Sequence, residues 1–216
     1  MRERPRRGKL HQPSKGSLRG TGAIASTKRQ QDSRKALAAA VAAGGATVVL
    51  VLLLQGAAST VRSAADGACG ALRPSPLPSS LRSLEADFTL PDLGGRPVSM
   101  RALRGRPVLL SFFATWCPPC IEEAPSLERL ARRLGDKATV LIVSVDEDVD
   151  ALKRFYAQGS AATVVRDETK KVPASFGTSK YPESFLIDKG GKVRYAFINQ
   201  RDWSVPEAAA CVEGLN

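Results

Sequence analysis

Two cysteines separated by two prolines, Cys117-Pro118-Pro119-Cys120, stand between an apolar run, Val108–Phe113, and a run of helical character over residues 121–134. This is the arrangement of a dithiol switch. A helix N-terminus presents unpaired N–H groups and partial positive charge, so a thiol placed there ionises readily and becomes an attacking thiolate. The second cysteine, three residues on, lies about one helical turn away, within reach of an intramolecular disulfide. C-x-x-C is also half of a four-ligand zinc site, but such a site needs a second ligand pair. Cys69 and Cys211 stand singly, and the one histidine of the chain, His11, is in the far N-terminal segment. The reading is therefore redox chemistry carried by side chains, with no metal and no cofactor.

Positioning the pair requires a strand before it and a helix after it, and the hydrophobic pattern supplies both. Strands are expected over residues 108–113, 139–145 and 163–166, and helices over 119–134 and 149–158, the second opened by the acids Asp146, Glu147 and Asp148. Strands alternating with helices imply parallel pairing in an α/β sandwich. Around these elements lie two hairpins, one over residues 88–98 with a turn at Gly94-Gly95, the other pairing 184–187 with 193–197 across Gly190-Gly191. A last helix is expected near Ser204, where Ser204 and Glu207 form a capping-box pattern.

The segments FFATWCPPCIEEAPSLERL and KYPESFLIDKGGKV resemble the TlpA-like branch of the thioredoxin superfamily, which includes ResA and the cytochrome-maturation reductases called DsbE or CcmG. The likeness runs from Leu84 to about Glu213. It implies a thioredoxin-like α/β fold, a central mixed sheet flanked by helices with an N-terminal β-hairpin. It also implies a thiol-disulfide oxidoreductase tethered on the outer face of a bacterial cytoplasmic membrane.

Site residues follow from the two readings together. Cys117, at the helix start and nearer solvent, attacks a substrate disulfide, and Cys120, deeper in the first turn, resolves the mixed disulfide. Pro118 and Pro119 have no N–H, so the Cys117 thiolate depends on the Cys120 amide and the helix dipole, which predicts a thiol of moderate acidity and a reductant. In the resembled reductases the acid of C-x-x-C-x-x-E, here Glu123, relays a proton to or from the resolving thiol. The superfamily's alternative, a buried aspartate in the strand before the motif, is Ser111 in this chain. Glu122 and Glu123 also read simply as favourable charges in an early helical turn. Tyr181-Pro182 resembles the cis-proline of thioredoxin folds, which faces the cysteines and leaves the Tyr181 backbone to pair with an extended substrate. Trp116 is expected on an apolar rim of the site, and Phe113 in the core.

The chain carries a formal charge of +11, which taken alone suggests a nucleic-acid partner. Its distribution argues otherwise. Residues 1–35 hold eleven Lys and Arg against two acids, whereas residues 69–216 hold twenty against eighteen. The excess belongs to an N-terminal tail that reads as disordered and cytoplasmic. Residues 36–58 contain no charged side chain, and their length suits a hydrocarbon core of about 30 Å. They are expected to form a single-pass anchor that leaves the following domain in the periplasm, with a cleaved signal peptide as the competing reading. Residues 59–83, with Pro74, Pro76 and Pro78, read as a semi-rigid spacer, and residues 84–216 as the redox domain. Outside the cytoplasm an even cysteine count admits a second disulfide, Cys69 to Cys211; a buried, reduced Cys211 with an exposed Cys69 is the alternative.

The expected activity is reduction of client-protein disulfides. By resemblance the clients are apocytochrome c, copper-site cysteines of respiratory oxidases, or sporulation and envelope proteins, with no motif choosing between them, and electrons arrive from a transmembrane thiol-relay protein. The rival classes are a disulfide-forming oxidase, a non-enzymatic thioredoxin-fold scaffold and a peroxiredoxin-like peroxidase. The last wants threonine three residues before its cysteine, where this chain has Ala114.

Overall fold

A computed structural model describes residues 66–215 of the chain. The basic segment 1–35, the expected anchor 36–58 and residues 59–65 lie outside the described residues. Among the described residues no helix is long and apolar enough to cross a membrane.

The described chain opens with helical residues 66–71 (α1) and a short helix α2 (Ser79–Arg82), then a two-stranded hairpin of β1 (Thr89–Pro91) and β2 (Pro97–Ser99). At the hairpin turn Gly95 has a φ of 82°, which glycine adopts without a Cβ clash, and Asp92 accepts hydrogen bonds from the Gly94 and Arg96 amides. There follow β3 (Val108–Phe113), α3 (Pro118–Leu134), β4 (Thr139–Ser144), α4 (Val149–Phe155), β5 (Thr163–Arg166), α5 (Lys171–Ser175), β6 (Glu183–Ile187), β7 (Val193–Ile198) and α6 (Pro206–Glu213).

Five strands form the central mixed sheet in the order β5-β4-β3-β6-β7. β3 pairs in parallel with β4 and antiparallel with β6, placing Ser111 opposite Ser184. Every residue of β3 is buried because both faces are covered. Leu109 and Phe113 pack with side chains of α3, α4 and α6 on one face; Val108, Leu110 and Phe112 pack with α2, α5 and the N-terminal segment on the other. The thioredoxin-like α/β architecture expected from the sequence is thus present, N-terminal hairpin included.

Four local expectations differ from the structure. Residues 66–83, expected within the spacer, belong to the folded domain: Ser75 bridges to Ala196 and Leu81 is buried against the sheet. Their apolar side chains find a sheet face that sequence composition does not reveal. α4 stops at Phe155, and the chain turns at Gly159 with a φ of 83°. α5 was not anticipated; it is five residues long and too short for a helical period. The capping box at Ser204 does not form. Pro206 starts α6 at its first position with Val205 before it, and Ser204 turns its hydroxyl to Asp202 instead.

Candidate active site

β3 delivers the chain to a tight bend, and α3 begins directly after Cys117, which is its N-cap. Pro118 and Pro119 fill first-turn positions where an amide proton has no partner within the helix, so the sequence can begin a helix there at no cost in hydrogen bonds. Cys117 and Cys120 form a disulfide, with Cα atoms 5.3 Å apart. Cys117 is the less deeply buried of the two, 5% exposed against 1%. The Cys120 N–H donates to the Cys117 sulfur at 3.3 Å. No donor comes from the two prolines, so a Cys117 thiolate would be held by one amide and the helix dipole.

The bend before the motif is fastened by a residue that the sequence reading had assigned elsewhere. Asp146 does not serve the start of α4; only Asp148 caps that helix, through the Asp150 and Ala151 amides. The Val145 N–H, just past the end of β4, donates to the carbonyl of Phe113, the last residue of β3, which brings the Asp146 carboxylate under the bend. There it accepts from the Thr115 N–H at 3.0 Å, the Thr115 hydroxyl at 2.6 Å and the Ser144 hydroxyl at 2.7 Å. Glu147, the remaining acid of the cluster, pairs with Lys170.

Glu123 lies one turn beyond Cys120 on the same helix face and is 2% exposed. The surface-charge reading of this residue is therefore excluded by its burial. Desolvation raises its carboxyl pKa to about 7, against hydrogen bonds that favour the anion. The Trp203 indole N–H donates to Oε1 at 2.8 Å and the Arg201 amide donates to the same oxygen at 3.0 Å. Ser111 approaches from β3 and also favours the anion, although its buried hydroxyl meets hydrogen-bond geometry with no described group. Arg201 and Trp203 were missed in the sequence. The available signal was a tryptophan set in a polar loop, Asn199 to Ser204, where an indole needs both a pocket and an acceptor.

The Tyr181-Pro182 peptide, which is cis, stands directly before β6, at the end of the sheet where β3 leads into the motif. Pro182 is buried and Tyr181 partly so. The Tyr181 ring meets Trp116 edge-on, with centroids 5.9 Å apart, and Trp116 is 60% exposed. Trp116 thus forms an apolar rim beside the disulfide, while Phe113 is buried in the core. The second pair resolves the alternative left open by the sequence: Cys69 and Cys211 form a disulfide with Cα atoms 4.7 Å apart, and both are fully buried. It ties α1 to α6, and the zinc reading loses the ligands it would have needed.

A thioredoxin-like sheet with a C-x-x-C disulfide at the head of its long helix and a cis-proline at the same end of the sheet is the structure of a thiol-disulfide oxidoreductase. Residues 84–196 match the AhpC/TSA family, and the chain belongs to it. The thiol-disulfide oxidoreductase ResA of Bacillus anthracis is 35% identical over 117 residues, 53% of this chain and 68% of that protein. The thioredoxin-like protein YneN of Bacillus subtilis is 30% identical over 111 residues, 50% of this chain and 65% of that protein. Among solved structures, a DsbE-type thiol:disulfide interchange protein from Chlorobium tepidum is 31% identical with a TM-score of 0.51, covering 54% of this chain and 84% of that one. The structure of dsbF from MTB is 26% identical with a TM-score of 0.54, covering 65% and 100%.

Proposed function

We propose that this protein is a reductase of client-protein disulfides, anchored through residues 36–58 in a bacterial cytoplasmic membrane with its redox domain outside. The supporting observation is the single amide donor at the Cys117 sulfur. A thiolate with few donors is a poorer leaving group and a stronger nucleophile, which favours donating electrons over accepting them.

In the reducing direction the Cys117 thiolate attacks one sulfur of a client disulfide, and the other client sulfur leaves as a thiolate. Cys120 then gives its proton to the Glu123 carboxylate and attacks the Cys117 sulfur. The second client thiolate departs, and two electrons have passed from the dithiol to the client. Trp116 and the Tyr181 backbone hold the client segment across the cis-proline. The resemblance to the cytochrome-maturation reductases makes apocytochrome c or oxidase copper-site cysteines the client class, with a transmembrane thiol-relay protein as electron source. A peroxidase is disfavoured, because Ala114 supplies no hydroxyl and the Thr115 hydroxyl is engaged by Asp146.

The reduction potential of the full-length protein, measured by equilibration in thiol buffers and alkylation, tests this reading. The expected value lies below about −250 mV, more reducing than the glutathione couple of an oxidising compartment. A value near about −120 mV would make the protein a disulfide donor and overturn the proposal.

A further inference from the structure

The loop between β7 and α6 carries two hydrogen-bond donors that converge on Glu123. Trp203 and the Arg201 amide both occupy Oε1. The Trp203 ring packs edge-on against Phe197, centroids 5.2 Å apart, and the Arg201 guanidinium lies 5.0 Å over the same Phe197 ring. Arg201 also donates to the Leu72 carbonyl at 2.6 Å and the Arg73 carbonyl at 3.0 Å. Those carbonyls sit in the turn that follows Cys69, whose disulfide partner Cys211 is in α6. Glu123 is therefore held by a loop that is itself pinned to both ends of the second disulfide.

We propose that Trp203 and Arg201 are positioning residues that tie up one carboxylate oxygen of Glu123, leave the other for proton exchange with Cys120, and set the pH at which that exchange switches. The inference rests on the acid–base role given to Glu123 above. With Oε1 accepting two donors, the proton resides on Oε2. When an external thiolate attacks Cys117 in the oxidised protein, the Cys117–Cys120 bond breaks and protonated Glu123 delivers its proton to the departing Cys120 sulfur. The groups acting on Glu123 are Trp203 and the amide and charge of Arg201 from the loop and Ser111 from β3, and Cys120 lies one turn back on its own helix. Trp203 and Arg201 both favour the anion, so losing either raises the pKa of Glu123.

The test is the rate of reduction of the full-length oxidised protein by dithiothreitol, corrected to dithiothreitol thiolate and followed from pH 5 to 9. The wild-type rate should fall with a midpoint near 7 as Glu123 loses its proton. Trp203→Phe keeps the ring but removes the donor and should move the midpoint upward by about one pH unit. Arg201→Gln should move it in the same direction by less, and it serves if Trp203→Phe fails to fold, since Arg201 is not fully buried. In a Glu123→Gln background the midpoint should vanish, and Trp203→Phe should then change nothing further in the profile. A midpoint that Glu123→Gln abolishes but neither loop variant shifts overturns this inference alone. A midpoint that survives Glu123→Gln overturns the acid–base role of Glu123 and this inference with it. Lower stability with an unmoved profile is the signature of a merely structural tryptophan, and also counts against it.

Discussion

The molecule holds two disulfides that are chemically the same and physically opposite. Cys117–Cys120 closes a gap of three residues at a helix N-cap, beside an exposed indole and a buried acid. Cys69–Cys211 spans 142 residues, and both of its cysteines are fully buried where two helices meet. What separates a working bond from a staple is then access for an attacking thiolate, an amide donor for the nucleophilic sulfur, and a proton source for the sulfur that leaves. The first bond has all three. The second is sealed from solvent at both cysteines, which denies it the first, and its contribution is to the unfolded chain, whose freedom it removes.

The contrast can be broken most directly by removing each bond in turn. Cys117→Ser should lower thiol–disulfide exchange by about a thousandfold or more, because the attacking group is gone. Cys69→Ala with Cys211→Ala should keep the exchange rate within about fivefold of wild type while lowering stability by about 5 kcal/mol in the chain-entropy model, read from the denaturant midpoint. Equal loss of exchange in both variants would erase the distinction between the bonds.

A smaller effect tests the proton source. Glu123→Gln should slow reduction of the Cys117–Cys120 bond by about a hundredfold below pH 7, where the wild-type carboxyl carries a proton. The same variant has a stability signature of known sign. The native carboxyl titrates near 7 and the unfolded one near its ordinary value of 4.5, so the native state holds the extra proton between those values. Wild-type stability therefore falls as pH rises from 4.5 to 7, by on the order of 3 kcal/mol, and Gln, which does not titrate, should recover that amount at pH 8 and nothing at pH 4. Denaturation curves at the two pH values decide it; equal midpoint shifts at both would remove Glu123 as the titrating group.

The smallest effect concerns access. Trp116→Ala should leave stability within about 0.5 kcal/mol and leave reduction by a small thiol unchanged. With a protein client it should raise KM several-fold, because the rim against Tyr181 is lost. An unchanged KM would mean that clients reach the disulfide without using this rim.

Legibility in the sequence followed sequence distance. Strand β3, the start of α3 and the hairpin β6–β7 were readable because an apolar run, a proline pair and a Gly-Gly turn act within a few residues. Asp146 was misplaced because its acid neighbours suit a helix start, while its actual partner, Thr115, is 31 residues away. Trp203 was not seen as part of the site because its acceptor, Glu123, lies 80 residues away.

The sequence by itself determined that a dithiol would sit at a helix N-terminus with prolines silencing its nearest amides, because covalent spacing and missing N–H groups are properties of the chain. It also determined that Glu123 would share a helix face with Cys120, because helical periodicity requires it. Only the tertiary structure decided that Glu123 is dry enough to hold a proton near pH 7, that Cys69 and Cys211 meet, and that an indole and an arginine close over the acid. Desolvation and long-range pairing arise when distant segments exclude water together, and no local pattern of residues records which segments those will be.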